Sequence, residues 1–292
     1  MSHAAVQDFE IHYARHRRRT QFIAGAGWVI FLAAFVAAAY VSEISPARLA
    51  GSGQRLGEFI QEMLPRLDTD TLFEGRRTQG SIANWYHAFP LWAGLIAQSI
   101  EIALLSTVLG FVGAFLLSFP AARGLGTPPV VTFLVRRFLE ILRTVPELVS
   151  ALILVFAFGV GPLAGVVAIT LHTIGALGKL FSEVHENADK RLIEGVRAAG
   201  GGWISRMRFG LVPQVFSNLA STSLLRFEIN VAASTAIGVT GAGGIGMELR
   251  SRAIDLGIYQ DAFAIILLIV IVIFAIDLIS ERLRTALDGS AP

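Results

Sequence analysis

Cysteine is absent from the 292-residue chain, and charged residues make up only 16% of it. The first absence excludes disulfides and thiolate metal sites, and says nothing about compartment. The second is more informative, because a soluble domain of this size carries about a quarter charged residues. The phosphate-binding pattern G-x-x-x-x-G-K-[ST] is also missing, so the chain has no ATP-binding loop of its own. No cluster of His, Glu and Asp has metal-ligand or nucleophile spacing, which speaks against a membrane enzyme. Nothing resembles a nucleic-acid-binding face either: the pI near 9.3 comes from a net charge of only +2.

What is present is apolar. Hydrophobic residues make up 54% of the chain, and the mean hydropathy is +0.63. They gather into runs of about 20 residues, the length of helix that crosses the hydrocarbon core of a bilayer. An all-α membrane protein follows, with about six transmembrane helices at 22–41, 91–118, 130–160, 162–183, 214–239 and 261–280. The first run follows Arg15, Arg17, Arg18 and Arg19, exceeds a signal-peptide core and lacks a small-residue cleavage site, so it reads as an uncleaved span. The third begins with Arg136, Arg137, Glu140 and Arg143, and reads as a helix that starts at the interface, kinks at Pro146 and then enters the membrane. With the N-terminus inside, sixteen of the 24 basic residues fall on the cytoplasmic side and seven outside, with Arg226 in a span. That bias puts both termini in the cytoplasm of a multi-pass protein. The segment 42–90 reads as short amphipathic helices on the outer surface. Two regions result: 1–90, holding the tail, first span and outer segment, and a core at 91–285.

Between the fourth and fifth spans lies KRLIEGVRAAGGGWISRMRFGLVP, residues 190–213, too polar to cross a membrane. The pattern predicts a helix from Asp189 to Ala199, a glycine break at Gly200-Gly201-Gly202, and a second helix from Trp203. On physical grounds alone it is equally a rigid elbow that transmits force to a soluble partner or a plain loop.

The segment resembles the "EAA" loop of bacterial ABC importer permeases: a Glu, a Gly six residues on, and a Pro thirteen beyond, here Glu194, Gly200 and Pro213. Gly195 and Val196 stand where the motif has Ala-Ala, and Gly210 and Val212 where it has Ile and Leu. Flanking stretches LRTVPELVSALILVFAFGVGPLAG, LHTIGALGKLFSE and LLRFEINVAASTAIGVTGAGGIG are similar to the phosphonate-type subfamily, and the resemblance covers about 95–285. It implies a type I importer permease in the bacterial inner membrane, pairing with a second copy of itself, a cytoplasmic ATPase dimer and a periplasmic substrate-binding protein. ATP and magnesium would bind in that partner ATPase, with no cofactor in this chain. Glu194, Arg197 and Gly200 would couple to the ATPase, and Pro213 would mark the return to the membrane. The implied cargo is a phosphonate, phosphite or related phosphorus oxyanion.

Ionisable groups inside spans ask for a partner or a function. Arg226 and Asn230 share a face at i, i+4 and, with His172 and Glu147, are candidates to line the pathway, where Arg226 would receive an oxyanion bidentately. The plainer alternative is an interhelical ion pair with Glu147 or Asp277. His172 either donates to an anion or packs as a satisfied histidine. Gly241, Gly243, Gly244 and Gly246 satisfy G-x-G-x-x-G. They sit between two expected spans instead of in a βαβ unit, so a tight outer turn is expected, as packing or as a contact with a docked binding protein. Gly110/Gly113 and Gly175/Gly178 suit close helix approach. Competing functions are the same architecture carrying an amino acid or vitamin, and an ion-coupled secondary transporter, which would show inverted repeats not seen here.

Overall fold

The computed structural model describes residues 3–42, 46–287 and 289, and every regular element among them is helical. The chain divides into two compact units, Met1–Glu62 and Met63–Pro292. The first holds α1 (His3–Val41) and most of α2 (Pro46–Met63). Leu56, Phe59, Ile60 and Met63 recur on one face of α2 at helical spacing, as an amphipathic interfacial helix requires.

The second unit opens with a short helix α3 (Ile82–Trp85), capped by Ser81, whose Oγ accepts from the Asn84 amide at 3.0 Å. Then follow α4 (Phe89–Ala121), α5 (Pro129–Thr144), α6 (Glu147–Phe158) and α7 (Pro162–Glu186). Next come α8 (Lys190–Ala198), α9 (Trp203–Ser205), a π-helical stretch Arg206–Leu211, and α10 (Val212–Gly238). The chain ends with α11 (Ile245–Arg250), a second π-helical stretch Ser251–Asp255, and α12 (Tyr259–Leu287). Prolines stand in the first turns of α4, α5, α7 and α10, where the missing N–H has no helical acceptor to lose.

Among the described residues four helices are long and apolar enough to cross a membrane: Arg15–Val41, Phe89–Ala121, Pro162–Asn187 and Tyr259–Leu287. The third expected span is a bent pair, α5 and α6, turned by 85°. The break is sharper than a proline kink. Pro146 excludes the helical region for the residue before it, and Val145 sits extended at φ −73°, ψ 120°. The fifth expected span, α10, is long enough at 27 residues but too polar to qualify by composition. It packs against α4, α6, α7 and α12, where Arg226, Glu228 and Asn230 meet protein partners.

Small residues set the spacing of the bundle. A Cβ on Gly110 would collide with Thr173, and one on Gly113 would stand 2.8 Å from Ile174 Cδ1, so α4 lies tight on α7. Gly175 and Gly178 admit Leu139 of α5 in the same way, with clashes at 2.7 Å. Both glycine pairs expected to serve close approach do so.

Candidate functional site

The 190–213 segment folds as two arms about a glycine corner. Asp189 caps α8, its Oδ1 accepting from the Arg191 amide at 2.9 Å. The Arg191 guanidinium, hydrogen-bonded to the same carboxylate at 2.8–3.2 Å, holds its pKa below the usual carboxylate value. At the far end Gly200 has φ +85°. Its amide donates to Arg197 O at 3.0 Å, and the Gly201 amide donates to Val196 O at 2.9 Å. Those two bonds form a Schellman cap, which ends the helix with a left-handed residue that only glycine adopts without strain.

One face of α8 is anchored. Ile193 is buried in a cluster with Phe181, Met207 and Leu211, and its Cα would lie 2.9 Å from a Cβ on Gly210, so the Gly210 position has no room for a side chain. Gln214 clasps the corner from α10, accepting from the Asp189 amide at 2.9 Å and donating to Gly210 O at 2.7 Å. Trp203 Nε1 donates to Leu125 O at 2.9 Å, tying α9 to the loop after α4. The other face is free: Leu192, Glu194, Arg197 and Gly200 are exposed. The π-helical stretch delivers the chain to Pro213, also exposed, in the first turn of α10.

Inside the bundle the four residues singled out in spans come together. Arg226 Nη2 reaches Glu147 Oε1 at 2.6 Å, and His172 Nε2 stands 3.4 Å from the same oxygen. Their side chains are 11%, 17% and 21% exposed for Arg226, Glu147 and His172, so the cluster borders a surface without being sealed. One turn along α10, Asn230 is fully buried and donates to Thr107 Oγ1 at 2.8 Å and Thr173 Oγ1 at 3.1 Å. Arg226 Nε donates weakly to the same Thr173 oxygen at 3.4 Å. Helices α4, α6, α7 and α10 are thus tied by one polar network. Of the two acids proposed as partners for Arg226, Glu147 is the one it meets. The other intramembrane acid of α10, Glu228, pairs with Arg284 of α12 at 3.2 Å.

The glycine-rich turn runs inward. Residues 241–246 are all buried. Gly241 O accepts from the Gly161 amide at 2.9 Å, Gly244 N donates to Gln98 Oε1 at 2.9 Å, and Ile245 N donates to Ser99 Oγ at 3.0 Å. A Cβ on Gly243 would stand 2.9 Å from Pro162 Cα, and one on Gly244 would collide with Ser99. The neighbours these glycines approach are α4 and α7 of the same chain. Of the two roles expected for Gly241, Gly243 and Gly244, these contacts are those of packing within the chain.

Residues 114–290 match the family described as binding-protein-dependent transport system inner membrane components. The chain belongs to this family. It is 34% identical over 223 residues to the phosphite transport system permease protein PtxC of Stutzerimonas stutzeri, covering 75% of this chain and 81% of that one. It is 41% identical over 117 residues to the putative cryptic phosphonate transport system permease protein PhnE2 of Escherichia coli K12, covering 40% of this chain and 95% of that one. Among solved structures, inward-facing MetNI methionine ABC transporter aligns with TM-score 0.60 at 19% identity, over 69% of this chain and 98% of that chain. That last likeness is one of fold.

For an inner-membrane transport component, the residues that sequence reading missed are Thr107, Thr173 and Gln214. Each is an ordinary polar residue of a helix, and only the folded neighbourhood shows what it holds. Glu101 of α4, an acid within a span, is exposed and has no ion-pair partner among the described residues.

Proposed function

We propose that the chain is the permease subunit of an ATP-driven importer for phosphorus oxyanions such as phosphite or phosphonates. In this reading two copies pair in the inner membrane with both termini in the cytoplasm, surrounded by lipid. A cytoplasmic ATPase dimer binds below and a periplasmic binding protein delivers substrate above. ATP and magnesium belong to the ATPase, and the permease has no nucleotide site of its own. The basic-residue bias supports the orientation, and relatives named for phosphite and phosphonate transport support the substrate class.

The observation that carries the mechanism is the elbow. Helix α8 is pinned from within through Ile193, Gln214 and the Trp203 anchor, yet presents Glu194 and Arg197 outward. A lever needs that combination. Closure of the ATPase dimer on ATP would push α8, and its rigid attachment to α10 would pass the displacement into the bundle as a rocking of packed helices. Such movement shifts a conformational equilibrium and needs no chemistry in this subunit.

The network of Glu147, His172, Arg226 and Asn230 is read as a brace beside the pathway. An oxyanion would gain the Arg226 guanidinium only by displacing Glu147, so the pair restrains α6 against α10 in the substrate-free state. Removing one partner of a largely buried ion pair costs roughly 3 kcal/mol or more, and removing both costs far less. Arg226→Ala is therefore expected to lower the yield of folded permease, and Arg226→Gln with Glu147→Gln to restore it. A well-folded Arg226→Ala that fails to import would instead make Arg226 a substrate contact.

The whole reading is tested by reconstituting the permease with its ATPase and binding protein and adding phosphite, alkylphosphonates, phosphate and methionine in turn. Stimulated ATP hydrolysis by one phosphorus oxyanion is expected. Stimulation by methionine alone would discard the substrate class, and failure to assemble with an ATPase would discard the importer.

A further inference from the structure

The loop between α4 and α5 lies in a concentration of positive charge that the transport reading does not use. Arg123, Arg136 and Arg137 line a cavity of about 430 Å³ together with Pro129, Thr132 and Phe133. Two more cations stand near the same loop: Lys190 Nζ is 3.9 Å from a Cβ position on Gly124, which lines the cavity, and Arg206 Nη2 is 3.9 Å from one on Gly126. Among the described residues two carboxylates pair with the lining arginines. Glu186 pairs with Arg136 and accepts from the Arg123 amide at 2.7 Å, and Glu140 pairs with Arg137 at 2.7 Å. Three lining arginines against two carboxylates leave one positive charge unmatched. The exposed guanidinium of Arg123 has no partner among the described residues.

An apolar strip adjoins the charge. Along α5, Val130, Phe133, Leu134, Phe138 and Ile141 are all exposed and recur at helical spacing on one face. Phe133 belongs to both features, since its ring also lines the cavity and lies 5.6 Å from the Arg137 guanidinium carbon. Depth in the membrane fits as well. Helix α4 has 33 residues, about 50 Å at 1.5 Å per residue, against a hydrocarbon core of about 30 Å. The helix is therefore long enough for its Ala121 end, followed closely by Arg123, to lie in the headgroup layer.

The geometry points to a binding site for one anionic phospholipid, with its phosphodiester on Arg123 and Arg137 and an acyl chain along the α5 strip. A basic cavity alone would accept any oxyanion, and an apolar strip alone any lipid. Their continuity selects a molecule that is anionic at one end and apolar at the other. The site needs only that the chain be embedded in a bilayer, so it does not depend on the cargo or on the ATPase.

The test is lipid titration of the full-length permease, read by native mass spectrometry, with phosphatidylglycerol against phosphatidylcholine. A preference of at least tenfold for phosphatidylglycerol is expected. One basic side chain at an anionic surface is worth about fivefold in affinity, so Arg123→Gln should weaken phosphatidylglycerol about fivefold and phosphatidylcholine, whose choline offsets its phosphodiester, much less. Phe133→Ser attacks the other half and should weaken long-chain phosphatidylglycerol more than its dihexanoyl analogue. An undiminished preference in Arg123→Gln overturns the proposal. So does displacement of the lipid by millimolar orthophosphate, which would make this a free-anion site, and so does equal binding of the two lipids by the unmodified protein.

Discussion

Two glycine clusters look alike in the sequence and do opposite work in the fold. At the elbow, Gly200 is exposed, has φ +85°, and a Cβ added to it would meet nothing within 4 Å. It is glycine for its dihedral alone. In the inward turn, Gly243 has φ +87° and also lacks room, with Pro162 in the way. Gly246 has an ordinary φ but no space at all, because the Thr235 carbonyl and the Gly238 backbone occupy it. One cluster shapes a surface lever, and the other lets α10, α11 and the start of α7 touch backbone to backbone. Removing glycine from the first should bend a part, and removing it from the second should stop the bundle from closing.

The largest effect therefore belongs to Gly243→Ala. Left-handed strain of about 1–2 kcal/mol adds to an overpacking cost of about 1–3 kcal/mol, for a loss near 3 kcal/mol. The thermal midpoint of the purified protein in detergent should fall sharply. A variant that melts with the parent would show that the turn is looser than its contacts indicate. Gly200→Ala carries only the strain, about 1 kcal/mol, and it is local. Amide exchange in α8 should accelerate while the bundle melts as before. Gly200→Asn should lie between the two, because asparagine tolerates the left-handed region better than alanine. If alanine and asparagine behave alike, the dihedral is not what Gly200 supplies.

This contrast also marks what a sequence can disclose. The elbow was legible because its signals are local: Asp189 before a helix, glycine after it, and a basic, polar composition between apolar runs. The spans were legible for the same reason, and α10 was found as well, although it is the most polar of them and is enclosed by other helices. Such a helix has no need to be apolar. The face shared by Arg226 and Asn230 was also readable, since four residues bring a helix round once, and both residues do reach Thr173. Choosing Glu147 over Asp277 for Arg226 was not, because it depends on α6 folding back beside α10 after the 85° break. The inward course of residues 241–246 was hidden likewise. A glycine needed for conformation announces itself through its neighbours in sequence, whereas one needed for space answers to neighbours that the fold alone supplies.

A smaller effect separates the cap of α8 from its charge. Arg191 depresses the Asp189 pKa, so the folded state favours the ionised carboxylate. The resulting stabilisation is present above the unfolded pKa, near 3.9, and is lost as pH falls through the lower folded value. Protection factors for α8 amides should hold from neutral pH down to about 4 and decline only below it. Asparagine is an equally good cap without the charge, so Asp189→Asn should keep α8 formed and abolish that acid decline.

The smallest effect on stability is the most telling for the comparison. Glu194 is exposed on the free face of α8 and has no hydrogen bond or ion pair among the described residues. Reversing its charge should change the melting free energy by less than about 0.5 kcal/mol, as for most surface substitutions. If α8 is the lever of the proposed importer, the same change still breaks the machine, because a lysine would face the ATPase where a carboxylate belongs. Glu194→Lys should leave insertion and folding intact while ATP hydrolysis no longer drives uptake. A fold-breaking substitution at Gly243 cannot make that distinction, since every readout falls with it. Normal uptake in Glu194→Lys would remove α8 from the coupling path even with the elbow's geometry intact. Unchanged melting with lost uptake would separate the lever from the bundle that anchors it.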